Sequence, residues 1–224
     1  MHREYLRHGV VPERLTVTPP VVEVDRLDTS PPGYRAEARL LFVGRLTRLK
    51  GPDLLLDALP LVQSRLDRRV EATIVGDGPD REALARAGTH VGIPVTLLGH
   101  RSGAEIRQLM LDTDLLVVPS VWPEPFGLVG IEAAGLGLPA AAFDVGGIAD
   151  WLRPGVTGEL APGDPPTVQG LADAIVRALS SRSHHQELRE GAWRHAAELG
   201  TGTHAATLEA VLAGCSQRRE EQPS

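Results

Sequence analysis

The chain has 224 residues, a net charge of −6, 42% hydrophobic residues and only 4% aromatic ones. That length supports one sizeable α/β domain with its own core; the acidic balance opposes polyanions, and scarce aromatics argue against stacking single-stranded nucleic acid. No apolar run reaches the roughly 20 residues that cross a bilayer, Met1–His8 lacks the apolar core of a signal peptide, and Cys215 alone makes neither an internal disulfide nor a cysteine metal cluster, so a cytoplasmic protein is expected.

Residues 1–38 read as irregular: a short polar helix, a strand at Leu15–Thr18, then a linker marked by Pro19-Pro20 and Ser30-Pro31-Pro32-Gly33. From Arg39 the pattern becomes regular. Apolar runs at Leu40–Val43, Ala72–Val75, Val95–Leu98, Leu115–Val118 and Ala140–Phe143 read as strands buried on both faces. Helical stretches separate them. Pro52 and Pro79 suit first helical positions, with Asp53 and Asp80 next to oppose the helix dipole. Ser102 to Glu105 has the form of a capping box, and Asp164-Pro165 is placed to cap a helix through Leu171–Leu179. Two more helices are expected at about 184–199 and 203–213, then a disordered tail over 218–224. On those helices His184, His185 and His195 read as solvated. The alternation predicts an α/β fold: a Rossmann-like, mostly parallel sheet with helices on both faces.

The polar loops follow the strands. Gly44-Arg45 follows the first, Gly76-Asp77-Gly78 the second, Gly99-His100-Arg101 the third, Pro119-Ser120 and the Glu124 loop the fourth, and Gly146-Gly147 the fifth. In an open parallel sheet all five lie on the carboxyl edge, where such folds bind ligands. Lys50, the sole lysine among 23 basic residues, lies in the first of these loops. Gly127 precedes a helix start whose free amides and dipole attract an anion. Arg45 forks onto phosphate oxygens and Lys50 adds a point charge, enough to hold a diphosphate with no metal. Glu124 and Glu132 have acceptor oxygens for sugar hydroxyls and for a vicinal diol such as ribose. Glu132 stands among Ile131, Ala133 and Ala134, where an unpaired carboxylate would be costly.

These residues, read in order, resemble a known family. Phe42-Val-Gly-Arg45, Lys50-Gly51, Gly76-Asp-Gly-Pro79, Pro119-Ser120, Glu124-Pro-Phe-Gly-Leu128, Glu132-Ala133, Pro139, Gly146-Gly147 and Gly155-x-x-Gly158 look like the donor domain of family 4 glycosyltransferases, retaining enzymes of the GT-B fold. The resemblance spans about residues 39–180. It implies the C-terminal half of a GT-B fold: residues 1–38 a remnant of the N-terminal domain and hinge, 39–182 the nucleotide-sugar domain, and 183–217 closing helices. The implied activity is hexosyl transfer with retention from a UDP-, GDP- or ADP-sugar, with no bound metal or other cofactor. The implied roles put Arg45 and Lys50 on the diphosphate, Glu124 on the transferred sugar and Glu132 on the ribose. Amides of Phe126, Gly127 and Leu128 contact sugar and phosphates, His100 and Arg101 approach the base, and Gly44, Gly78 and Val129 complete the nucleotide-contacting set.

The acceptor domain of that family has no counterpart in this sequence, which implies a separate or missing N-terminal partner and an inactive isolated chain. Asp150 stands where the family often has glutamate, followed by Trp151. A non-catalytic sugar-nucleotide-binding or regulatory module is the alternative reading. A nicotinamide dehydrogenase is disfavoured, since no Gly-x-Gly-x-x-Gly follows the first strand.

Overall fold

Side chains alternate across a strand, and the first strand shows what that does here. In β1 (Ala38–Val43), Leu40 and Phe42 enter one apolar cluster while Leu41 enters another on the opposite face. Burial on both faces explains the continuous apolar runs. The computed structural model describes residues 35–198 and 206–213, with 5–6, 8–16, 26–27 and 33 besides.

Six strands form one sheet: β1, β2 (Val70–Val75), β3 (Val95–Gly99), β4 (Leu115–Val118), β5 (Ala140–Phe143) and β6 (Gly158–Ala161). Their order is β3-β2-β1-β4-β5-β6, and every pairing is parallel. The helices are α1 (Pro52–Gln63), α2 (Arg81–Gly88), α3 (Gly103–Leu111), α4 (Leu128–Gly135), α5 (Val168–Leu179) and α6 (Arg182–Glu198). Helices α1, α2 and α5 supply side chains to the cluster on one face, α3 and α4 to the cluster on the other. Helix α6 packs outside α4, where Ala134 meets Ala192 and Ala196. The expected Rossmann-like fold is present.

Local expectations fared unevenly. Pro52 begins α1, and Ser102 and Glu105 form the full capping box of α3. Pro79 does not begin α2, which starts two residues later with Asp80 at its N-cap. Nor does Asp164-Pro165 cap α5; Thr167 does, accepting from the Gly170 amide at 3.0 Å. The sixth strand was not expected. Leu15 and Thr16 are not in a strand, and Val17-Thr18, most of the linker and the tail lie outside the described residues. Residues 206–213 are helical.

Before β1, Leu27 ties the chain down. Its amide donates to Gly135 O at 3.1 Å, and its carbonyl accepts from Trp193 Nε1 at 3.0 Å. Arg26 stacks 4.0 Å over the Trp193 ring.

The amino edge of the sheet holds a buried polar cluster. Asp114, His185 and Arg189 are fully buried. Asp114 Oδ2 accepts from Arg39 N at 3.0 Å and pairs with Arg68 at 3.5 Å, while Arg189 donates to Thr113 O at 3.2 Å. His185 Nε2 lies 2.8 Å from Asp114 O, and a carbonyl only accepts, so the proton sits on Nε2. The expected solvated histidines are therefore corrected: His185 and His195 are buried because α6 turns that face inward.

Burial pushes the His185 imidazole from 6.5 down to about 4; Arg189 and Arg68 act the same way, against the Asp114 backbone bond and charge. Above pH 6.5 both folded and unfolded chains keep this histidine neutral. Between 6.5 and 4 the unfolded chain takes up a proton that the folded chain refuses, so stability should fall by up to about 3 kcal/mol as the pH drops. His185→Gln should flatten that acid arm in thermal unfolding followed by circular dichroism. An equally steep loss in the variant would refute it.

Candidate functional site

The parallel sheet sends all its carboxyl-end loops to one edge, and backbone bonds stitch them together. Gly44 N donates to Val75 O (3.0 Å), Leu46 N to Asp77 O (2.9 Å) and Gly76 N to Gly99 O (2.9 Å). The Leu49 carbonyl joins the β1 loop to the β4 loop, accepting from Val121 N and from Ser120 Oγ, both at 3.0 Å. At Gly51, which has φ +67°, an added Cβ would lie 2.0 Å from Pro119 O. Only glycine allows so close an approach.

Between these loops lies a cleft of about 460 Å³, lined among others by Gly44, Lys50, Ser120, Glu124, Phe126, Gly127, Leu128 and Val129. Glu124 is buried, and its Oε1 accepts from both Lys50 Nζ and Ser120 Oγ, the latter at 2.6 Å. The cation and the carboxylate, assigned by sequence to phosphate and to sugar, are thus paired with each other here. Such a pair spares a buried carboxylate from standing without a partner. Ser120 completes it, a role its place in the sequence did not suggest.

Helix α4 opens onto the same cleft. Gly127, at φ +91°, is its N-cap. Among the described residues the amides of Gly127, Leu128 and Val129 have no acceptor. Three free donors and the positive end of the helix dipole make this an anion-receiving site. Under it runs the segment after β5: Gly147 N donates to Glu124 O at 2.7 Å, and Trp151 Nε1 to Phe126 O at 2.6 Å.

The other sequence-selected residues fall nearby or apart. A pocket of about 280 Å³ adjoins the cleft, sharing Val43 and Gly44, and is lined by Arg45, His100 and Arg101. Arg45 and His100 are exposed, whereas Arg101 is half-buried, donating to His100 O at 2.9 Å and pairing with Glu105 at 3.6 Å. Gly78 lines neither pocket; its amide bonds Asp77 Oδ1 at 2.8 Å, and a Cβ there would strike Leu46 O at 2.3 Å. Glu132 also lines neither. Ile131, Ala133 and Ala134 are buried but Glu132 is exposed on α4, so the expected cost of burying its carboxylate does not arise. Asp150 is exposed, and no group of three or more metal-ligating side chains occurs among the described residues.

A doubly wound α/β domain with an anion-receiving cleft at the carboxyl edge of its sheet is the class these features define. The profile of the glycosyl transferases group 1 family matches residues 29–195. The chain belongs to that family. D-inositol 3-phosphate glycosyltransferase of Thermobispora bispora is 35% identical, aligned over 92% of this chain and 52% of the relative. The enzyme of that description from Mycobacterium bovis is 35% identical over 92% of this chain and 44% of its own length. The chain thus spans about half the length of the curated relatives it matches. Among solved structures, Anabaena Alr3699/HepE in complex with UDP and glucose superposes with a TM-score of 0.69 at 28% identity, over 80% of this chain and 49% of that one. An S. aureus TarM structure, at 22% identity and TM-score 0.74, covers 95% of this chain and 41% of that one, and shows the fold alone. No helix among the described residues is long and apolar enough to cross a membrane.

Proposed function

We propose that residues 39–182 form the nucleotide-sugar-binding half of a glycosyltransferase that transfers a hexosyl group with retention. The carrying observation is the cleft that Lys50, Ser120 and Glu124 share with three amides at the start of α4, which have no acceptor among the described residues. The donor's diphosphate lies on those amides, with Lys50 and Arg45 adding cationic contacts. Negative charge grows on the departing nucleoside diphosphate as the glycosidic bond breaks, and donors fixed beforehand stabilise it. Glu124, held by Ser120, accepts from a hydroxyl of the transferred sugar. Glu132 reaches the ribose from the exposed side of α4, and His100 and Arg101 lie towards the base. The UDP in the HepE structure favours a uridine donor over GDP- or ADP-sugars.

Transfer also needs a surface that holds the acceptor. Leu128, which lines the cleft, and Leu49 and Trp122, which lie in the loops that contribute Lys50 and Glu124 to it, are each about half exposed, which supports a second domain covering this edge. That domain, on this or another polypeptide, would supply the acceptor site, and the described half alone would bind donor without turnover. Calorimetric titration with UDP, GDP and ADP tests the reading. One nucleotide should bind at micromolar to millimolar strength, and Glu132→Ala should weaken it about tenfold, as expected for a lost hydrogen bond to a charged group. Full affinity in that variant would remove Glu132 from the site. Robust transfer by the chain alone would refute the incomplete-enzyme reading.

A further inference from the structure

We propose that Trp151 is a positioning residue for the donor site: its indole fixes the turn before α4 so that the free amides there meet the diphosphate. The inference rests on the donor-site reading above. Trp151 is buried, at 2% exposure, and its N–H is spent on Phe126 O, 2.6 Å away. In a trans peptide the carbonyl and the following N–H point in opposite directions. Holding Phe126 O against the indole therefore aims the Gly127 amide away from it. Gly127 lines the cleft, and its amide has no acceptor among the described residues.

Two glycines make room for this device. A Cβ on Gly130 would fall 2.1–2.5 Å from three carbons of the Trp151 ring, so any side chain there expels the indole. A Cβ on Gly127 would lie 3.2 Å from Trp151 Nε1 and 3.0 Å from Ile148 Cδ1. The other end of the turn is held from the same segment, through Gly147 N and Glu124 O. Residues 147–151 thus bracket the turn at both ends. Trp151 never touches the donor; it acts through Phe126 and Gly127.

Trp151→Phe keeps a ring and removes only the N–H. NMR chemical-shift titrations with UDP and with uridine should show UDP affinity falling roughly tenfold and uridine affinity unchanged. A space-filling residue would not distinguish the two ligands. Gly130→Ala supplies a second route, since it should displace the ring and weaken UDP binding. Gly130→Ala/Trp151→Leu restores the space without the donor, so it should regain thermal stability but not UDP affinity. Parental UDP affinity in Trp151→Phe, equal losses for UDP and uridine, or recovery of UDP affinity in the double variant would each overturn the proposal. A parent chain that binds no nucleoside diphosphate would overturn the donor-site reading itself.

Discussion

Lys50→Ala should lower UDP affinity about a hundredfold, close to 2.8 kcal/mol, measured by calorimetry. Two effects add. The ammonium is lost as a partner for the diphosphate, and Glu124 is left buried with Ser120 as its only remaining side-chain partner among the described residues. An unmasked carboxylate about 10 Å from a phosphate costs roughly 1.7 kcal/mol at an effective dielectric near 20. The second effect can be isolated. Lys50→Ala/Glu124→Gln removes that charge and should recover about tenfold of the lost affinity, a coupling that a double-mutant cycle reports directly. Parental affinity in Lys50→Ala would remove the ammonium from the donor contact. No recovery in the double variant would show that Glu124 does not face the anion.

Gly51→Ala should destabilise the domain by about 3–5 kcal/mol. An alanine at φ +67° loses roughly 1–2 kcal/mol to left-handed strain, and overpacking against a backbone atom adds about 2–3, the upper part of its usual range. The methyl would sit 2.0 Å from Pro119 O, a backbone atom that cannot swing aside. Relief would require separating the β1 and β4 loops, which breaks the bonds to Leu49 O. For a chain of this size a melting midpoint lowered by about 6–20 °C follows. UDP affinity should fall with it, because the same separation parts Lys50 from Glu124. A midpoint within 2–4 °C of the parent, the shift for about 1 kcal/mol, would show that the loops part at little cost.

Strands β1 to β5 were legible because each carries a buried apolar run. Strand β6 was not, since Gly158–Ala161 reads Gly-Glu-Leu-Ala. Its Glu159 is buried only because Arg177 and His184, from two different helices, reach it at 3.1 Å, and no local pattern announces that. Thr167 displaced Asp164 as the cap of α5 for a similar reason: the helix begins where the loop delivers the chain. In the site, residue types and order placed Lys50, Glu124 and Gly127 at one edge. Their pairing was hidden, because Lys50 and Glu124 are 74 positions apart in the chain. Trp151 stood out in the sequence only as the residue after Asp150, and its meaning depends on Gly130 having no side chain. Periodicity predicts faces well and says little about which polar groups will find each other.

Arginine supplies every basic side chain but one, and the exception lines the cleft, bonded to Glu124. The sequence therefore offers amine-selective chemistry a single ε-amino group, in the middle of the site. Acylation, carbamylation or coupling to an activated ester would reach the α-amine and Lys50 and no other primary amine in these 224 residues. A stoichiometric label blocked by bound nucleotide would then serve as a footprint of occupancy, with no engineered residue required.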